Sequence, residues 1–211
     1  MKGVESAVQD TRVEKEQWLV QRARDGDTDS FSQLVLIYQE RAVHIAHSFL
    51  GNFEDARDAA QEAFVKCYQN LSSFKEESRF YTWFYRILVN TCKDFLRKKK
   101  VRKNIFFWID RDAAAEHETD PVTNVVEQRK NARQGLMDEE LGVQIQKALE
   151  RLPFQQRSAF SLRYLEGLSL EEIAESMHLS VGTVKATLWQ AGQKMRNFLG
   201  VYLECKEGGL R

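Results

Sequence analysis

The chain has 211 residues, 43% of them hydrophobic and 29% charged, with 31 basic side chains balancing 31 acidic ones. That size and balance suit two small globular domains better than one large one, and a net charge of zero excludes a uniformly basic nucleic-acid binder. Two prolines and eleven glycines point to helices, not to a turn-rich β fold.

The polar N-terminus, MKGVESAVQDTR, carries no signal-peptide pattern, and residues 1–15 are expected to be a tail. A short helix near Glu16–Arg24 precedes the turn Asp25-Gly26-Asp27. Phe31, Leu34, Val35, Tyr38, Ala42, Ile45, Ala46 and Phe49 then repeat at helical spacing and predict one apolar face of a long helix ending at Gly51. A third helix is expected from Phe53 to Leu71, burying Ala60, Phe64, Cys67 and Leu71. A polar loop, Ser72 to Ser78, leads to a fourth helix from Arg79 to about Lys99, with Phe84, Ile87, Leu88, Thr91 and Phe95 inward. Arg97 to Lys103 (RKKKVRK) places six basic residues in seven positions. Residues 104–140 lose periodicity, hold four basic residues against nine acidic ones, and read as a flexible linker containing the apolar cluster Ile105–Ile109.

The helical pattern returns at Leu141, Ile145, Ala148, Leu149 and Leu152. Pro153 opens the next helix and Gly167 closes it. Ser169 with Glu172 three residues later forms a capping box. Leu170, Ile173, Ala174 and Met177 fall on one face behind it. His178-Leu179-Ser180 makes a turn, and Ser180 can cap a second helix through Val184, Leu188 and Met195. Two short capped helices so joined are the shape that lays its second helix in a DNA major groove. Residues 201–211 read as a C-terminal tail.

Two further stretches carry chemistry. Phe80, Tyr81, Trp83, Phe84 and Tyr85 put five aromatics in six positions, with Arg79, Arg86, Lys93 and Arg97 around them. Rings interleaved with cations suit single-stranded nucleic acid, where rings stack on bases and cations hold phosphates; the plainer reading is an aromatic-rich core helix with a solvated basic face. If Phe84 and Ile87 face the core, Tyr81 and Tyr85 fall at its border and Trp83 on another side. One helix earlier, Asp55, Asp58, Gln61 and Glu62 share a polar face that is either solvated or a docking surface for a basic partner.

Taken together, Asp58-x-x-Gln61-Glu62-Ala63-Phe64, then FYTWFYRILVN, then LSLEEIAESMHLSVGTVK resemble a bacterial RNA polymerase sigma factor. The two-domain layout is similar to the extracytoplasmic function (ECF) group of the sigma-70 family. The likeness covers about residues 17–100 (region 2, expected within 16–103) and 141–200 (region 4). It implies an all-α fold of two small helical domains joined by a flexible linker, the second a winged-helix-like helix-turn-helix. It implies that Asp55, Asp58, Gln61 and Glu62 dock on core polymerase. It implies promoter −10 contacts and melting by Phe64, Ser73, Phe74, Lys75, Arg79, Tyr81, Trp83, Arg86, Asn90 and Lys93. Duplex phosphates upstream would meet Arg97, Lys98, Lys99 and Lys100. The −35 element would meet Ser180, Gly182, Thr183, Lys185, Thr187, Gln190 and Lys194. Here the chain departs from its relatives, which commonly carry arginines where Thr187, Gln190 and Gly192 stand. Each missing phosphate contact removes about one unit from the salt slope, so −35 binding is expected to be weak, with Lys185, Thr187 and Gln190 as readers. Trp189 faces DNA, polymerase or the linker end.

The resemblance also implies partners: polymerase core through its beta and beta-prime subunits, promoter DNA, and an anti-sigma factor, possibly membrane-anchored. No cofactor and no small-molecule substrate are expected. A polymerase-independent DNA-binding regulator is the alternative, but it needs neither the Asp58–Glu62 face nor the aromatic helix. An enzyme is disfavoured: His44 and His47 lack a matching carboxylate, and no phosphate loop or nucleophile motif appears. Cys67, Cys92 and Cys205 are odd in number without metal-ligand spacing, which suits free thiols in a reducing cytoplasm.

Overall fold

The computed structural model describes residues 14–76, 78–109 and 132–208, with side chains over 14–76, 78–101 and 140–200. Helix α1 spans 14–24 and α2 spans Thr28–Leu50. Gly26 turns between them with φ of 97°. Asp27 caps α2 by accepting from the Asp29 and Ser30 amides, satisfying donors that have no partner inside the helix. Gly51 ends it in the left-handed conformation (φ 73°), donating its amide to the His47 carbonyl at 2.8 Å. Asn52 caps α3, Phe53–Asn70, and a 3-10 turn at Leu71–Ser73 follows. Helix α4 runs Phe80–Ile109, α5 Ala132–Glu150, α6 Phe154–Tyr164, α7 Leu170–Met177 and α8 Val181–Gly208. The described residues contain no strand, so the helix-turn-helix shows no wing.

Three boundaries differ from the sequence expectation. Helix α4 continues to Ile109, and α5 starts at Ala132 instead of Leu141, so both helices extend into the expected linker. Helix α8 runs on to Gly208, through most of the expected tail. Pro153 sits at the cap position of α6, just before its first turn. The expected tail residues 1–13 and the middle of the linker, 110–131, lie outside the described residues, as do the side chains of Ile105–Ile109 and Cys205.

The periodicity of α2 holds. Leu34, Tyr38, Ala42, Ile45, Ala46 and Phe49 are buried, while Phe31 and Val35 are half-buried at the edge. Each fully buried side chain of this size is worth about 1.5–3 kcal/mol relative to exposure. The two halves do not keep wholly separate cores. Leu34, Phe49, Phe84 and Leu88 of the first half form one continuous apolar cluster with Ala159, Leu162, Leu168, Ile173 and Val184 of the second. A smaller cluster, Ala148, Leu149, Leu152, Ala191 and Met195, joins α5 to α8. Helix α4 is packed against α2 and α3 and also against α7.

Candidate nucleic-acid interface

Helix α3 turns Ala56, Ala59, Ala60, Ala63, Phe64 and Cys67 inward. Its opposite face therefore carries Asp58 and Gln61 exposed, with Asp55 and Glu62 half-buried beside them. The Lys66 ammonium donates to Glu62 at 2.7 Å one turn along, and that hydrogen bond holds the Glu62 carboxyl below the usual carboxylate range. Asp55 is paired across helices with Lys99 of the basic run at 2.8 Å. Next to this face, α2 and α3 diverge over a cavity of about 560 Å³. Phe31, Val35, Val43, Val65 and Tyr68 line it, with Gln61 at its rim.

The residues expected at the −10 strand divide into two groups. Ser73, Lys75, Arg79, Asn90 and Lys93 are exposed, and Arg86 and Tyr81 are half-buried. Ser73 donates its hydroxyl to the Asn70 carbonyl at 2.6 Å, and an ion pair between Arg24 and Glu76 ties the loop end to α1. Phe64, Phe74 and Trp83 are instead core residues. Phe64 stacks on Phe84 with centroids 4.6 Å apart. Phe74 packs against Trp83 at 5.1 Å and edge-on to Phe80 at 6.0 Å. Trp83 is only 7% exposed, and Tyr85 only 1%. These rings face inward because α4 is covered on two sides, so it buries more of its circumference than a one-sided helix could.

Of the basic run, Arg97, Lys98, Lys99 and Lys100 are all exposed. Arg97 pairs with Asp94 at 3.2 Å, and the Lys98 ammonium lies 5.6 Å from the Phe95 ring.

The helix-turn-helix forms as its sequence dictates. Ser169 accepts from the Glu172 amide at 3.1 Å, and Glu172 accepts from the Ser169 amide at 2.8 Å. His178 makes the turn at φ of 52°. The Ser180 hydroxyl oxygen accepts from the Thr183 amide at 3.1 Å, capping α8. Gly182, Thr183, Lys185 and Gln190 are exposed and Lys194 is half-buried. Gln190 accepts from Gln156 at 2.9 Å. Thr187 is a correction: it is 7% exposed and follows Val184 toward the core at helical spacing, ahead of Ala191. Trp189, two positions on, projects outward at 66% exposure.

Contacts between the halves were not legible in the sequence. The Tyr81 hydroxyl donates to Glu172, and the Tyr85 hydroxyl donates to Glu166. Burial, with Glu172 adjoining, pushes the Tyr81 phenol up to about 12. For Glu172, burial acts upward but is outweighed by hydrogen bonds from Tyr81 and Ser169 and by the nearby Arg79 charge, so its carboxyl lies below the ordinary range. Ser176 donates to the Thr82 carbonyl at 3.3 Å. Arg157 donates to the Phe49 carbonyl at 2.7 Å, and Gln146 to that of His47 at 3.2 Å. Phe49 and Phe154 meet edge-on at 5.7 Å.

Cys67 and Cys92 are buried free thiols, each pushed up to about 12 by burial. Among the described residues, no group of three or more His, Cys, Asp or Glu is placed to hold a metal ion, and no helix is long and apolar enough to cross a membrane.

Residues 34–102 match the family description "Sigma-70 region 2", and residues 142–195 match "Sigma-70, region 4". The RNA polymerase sigma-H factor of Pseudomonas aeruginosa is 36% identical over 182 residues, covering 84% of this chain and 90% of that protein. The ECF RNA polymerase sigma-E factor of Escherichia coli is 37% identical, covering 86% and 93%. The ECF sigma factor SigW of Bacillus subtilis is 32% identical, covering 85% and 94%. The fold is similar to that of CnrH solved with the cytosolic domain of CnrY, with a TM-score of 0.62, 22% identity, and coverage of 89% and 98%. It is also similar to the sigma factor RpoE of Bartonella quintana solved with the anti-sigma factor NepR, with a TM-score of 0.61, 22% identity, and coverage of 81% and 97%.

Proposed function

The chain belongs to the sigma-70 family, in its ECF group, and we propose that it divides the work of that family among the surfaces described above. As a sigma factor it directs RNA polymerase to promoters through −10 and −35 elements and promotes melting. It works without chemistry of its own, as a non-catalytic specificity subunit in the cytoplasm.

The exposed face of α3 is the polymerase docking surface. The observation that carries this reading is a polar face, Asp55, Asp58, Gln61 and Glu62, beside an open apolar cavity with Gln61 at its rim. Carboxylates give a basic partner its orientation, and an apolar groove supplies the burial that charge pairs alone do not. Ser73, Lys75, Arg79, Tyr81, Arg86, Asn90 and Lys93 form the −10 and melting surface. Phe64, Phe74 and Trp83 support it from the core and do not stack on bases themselves. A strand drawn along this face meets cations for its phosphates and the Tyr81 ring for a base. Lys98, Lys99, Lys100 and Arg97 hold upstream duplex phosphates.

On α8, Gly182, Thr183, Lys185 and Gln190 face the −35 element, with Trp189 beside them. With so few cations, affinity there is low and the −10 surface and basic run carry more of it. An anti-sigma factor, such as the one in the complex of the Bartonella sigma factor, is the expected inhibitor.

The test of the docking surface is binding of the full chain to core polymerase by fluorescence anisotropy. Asp58→Ala with Gln61→Ala should weaken binding at least tenfold while leaving the thermal unfolding midpoint unchanged. Unaltered affinity would remove α3 from the docking role.

A further inference from the structure

The loop between α3 and α4 is anchored at both ends. At its start the Phe74 amide donates to the Leu71 carbonyl at 3.1 Å, closing the 3-10 turn, and the Phe74 ring is buried. At its end the Arg79 carbonyl accepts from the Thr82 and Trp83 amides at 3.1 and 3.2 Å, which starts α4. Lys75 and Glu76 are exposed between these anchors. Glu76 has a left-handed backbone, φ 58°, and among the described residues only His178 shares that state without being glycine. A residue with a Cβ disfavours this state, so a contact outside the residue must hold it there.

The contact comes from α1. Arg24, at the end of that helix, forms an ion pair with Glu76 and also donates to Gln21 at 3.5 Å. Helix α1 is itself fixed, because Leu19, Val20 and Ala23 are buried in the core. Toward its other end Glu16 accepts from the Tyr38 hydroxyl, and the Tyr38 ring lies 5.8 Å from that of Phe80 at the start of α4. Burial pushes the Glu16 carboxyl above the ordinary range, against the pull of that hydrogen bond and of the Arg79 charge. Helix α1 thus grips the loop at Glu76 and acts again on Arg79 where the loop ends. It lies ahead of residues 34–102, the stretch that matches region 2.

We infer that Arg24 is a positioning residue for −10 recognition: through Glu76 it sets the course of the loop, and so the aim of Lys75 and Ser73, without touching DNA itself. The role rests on the reading of this loop as part of the −10 surface. An exposed ion pair adds little to the stability of a whole fold. In a short loop with a few competing conformers, the same interaction decides which one is populated. A base is read only when a side chain comes within hydrogen-bond distance of its edge. A loop that loses its course therefore loses the choice between bases before it loses binding to the strand as a whole.

The test uses the holoenzyme, core polymerase with the full chain, on a promoter located by mapping its transcript starts. Run-off transcription is measured on that promoter and on single-base substitutions at each −10 position. The proteins are the wild type, Arg24→Ala, Glu76→Gln and the two changes together. A preferred base is worth about tenfold or more over its substitutes. Arg24→Ala should cut that preference to about threefold or less where the loop reads, and leave −35 preference unchanged. Glu76→Gln keeps the side-chain length and loses the charge. It should have the same effect, and the double variant no more than either alone. It also serves if the alanine variant fails to fold, since Glu76 is exposed and outside any helix. The salt slope of promoter binding should match that of the wild type. Wild-type −10 preference in Arg24→Ala and Glu76→Gln would overturn the inference. So would a uniform loss on all templates with the slope lower by about one unit, the mark of a direct phosphate contact. Additive effects would overturn it too, because Glu76 would then act on DNA by itself. Lys75→Ala separates the inference from the reading beneath it. If Lys75→Ala relaxes −10 preference and Arg24→Ala does not, the loop reads DNA and the positioning role fails. If neither relaxes it, the loop is not part of the −10 surface and the reading fails with the inference.

Discussion

Arg157 offers the sharpest test of how the two halves are held together. It leaves α6 and spreads its guanidinium over three backbone carbonyls: Phe49 at 2.7 Å, Leu152 at 3.1 Å and Glu150 at 3.2 Å. The first ends α2 and belongs to the other half of the chain; the others close the turn between α5 and α6. Carbonyls at helix ends have no partner within the helix, so a cation placed there satisfies them and favours the negative end of the helix dipole. Burial lowers the Arg157 pKa, showing that the group gives up water to make these bonds. A hydrogen bond to a charged donor is worth about 1.5–3 kcal/mol net. Three bonds from one group are not additive, and the carbonyls regain some water once the side chain is gone. Arg157→Ala should therefore cost about 3 kcal/mol, and Arg157→Lys, which reaches only one or two of the carbonyls, somewhat less. The assay is equilibrium urea unfolding followed by far-UV circular dichroism. A loss below about 0.5 kcal/mol for the alanine variant, the size of an ordinary surface change, would refute the bridging role.

Three other expectations follow from the same structure. Lys99→Ala breaks an exposed pair with Asp55 worth at most about 1 kcal/mol, so the thermal midpoint should hardly move, while the salt slope of promoter binding should fall by about one unit; an unchanged slope would take Lys99 off the phosphates. Thr187→Ala should lower stability without altering −35 preference, whereas Gln190→Ala should relax preference at one base position by about 1–3 kcal/mol. A fluorescence titration of the holoenzyme on −35 variants separates the two, and a −35 salt slope near six or more would contradict the weak phosphate contact inferred for α8. His47 is half-buried against Phe53, and burial pulls its pKa below the ordinary 6.5 in spite of Glu150 nearby. The unfolded chain then takes up the proton first, so this residue's contribution to stability is complete above pH 6.5 and is lost as the pH falls from there through the folded value. Urea midpoints over that range should decline for the wild type, and His47→Asn should flatten the decline.

Much of the fold was legible because local signals agreed with one another. In α2 the apolar spacing and the Gly51 stop predict the same helix, and the structure has it, with Asp27 as its cap. The Ser169–Glu172 box likewise marks α7 unambiguously. The aromatic run was harder to place. A helix with one covered face cannot bury Phe80, Trp83, Phe84 and Tyr85 together, and periodicity alone cannot show that α4 is covered by α2 and α3 on one side and α7 on the other. That second cover is a contact between segments far apart in sequence, which no local pattern encodes. The same gap hid the roles of Glu166 and Glu172: a capping glutamate looks complete with one partner. Thr187 was misassigned as a reader because a polar residue on a recognition helix reads as exposed, although it stands three residues after buried Val184 and four before buried Ala191. The end at Ile109 was missed because five successive apolar residues, Ile105–Ile109, have no helical period, and the start at Ala132 because the acidic run Asp138–Glu140 obscures one.

This chain selects promoters for RNA polymerase. The most direct measurement combines purified core polymerase with the full chain on genomic DNA and maps the transcript starts. Starts that appear only with this chain, and share one −10 and one −35 element at fixed spacing, are the predicted result. Stable binding to DNA with no stimulated starts would contradict the claim and leave a polymerase-independent regulator in its place.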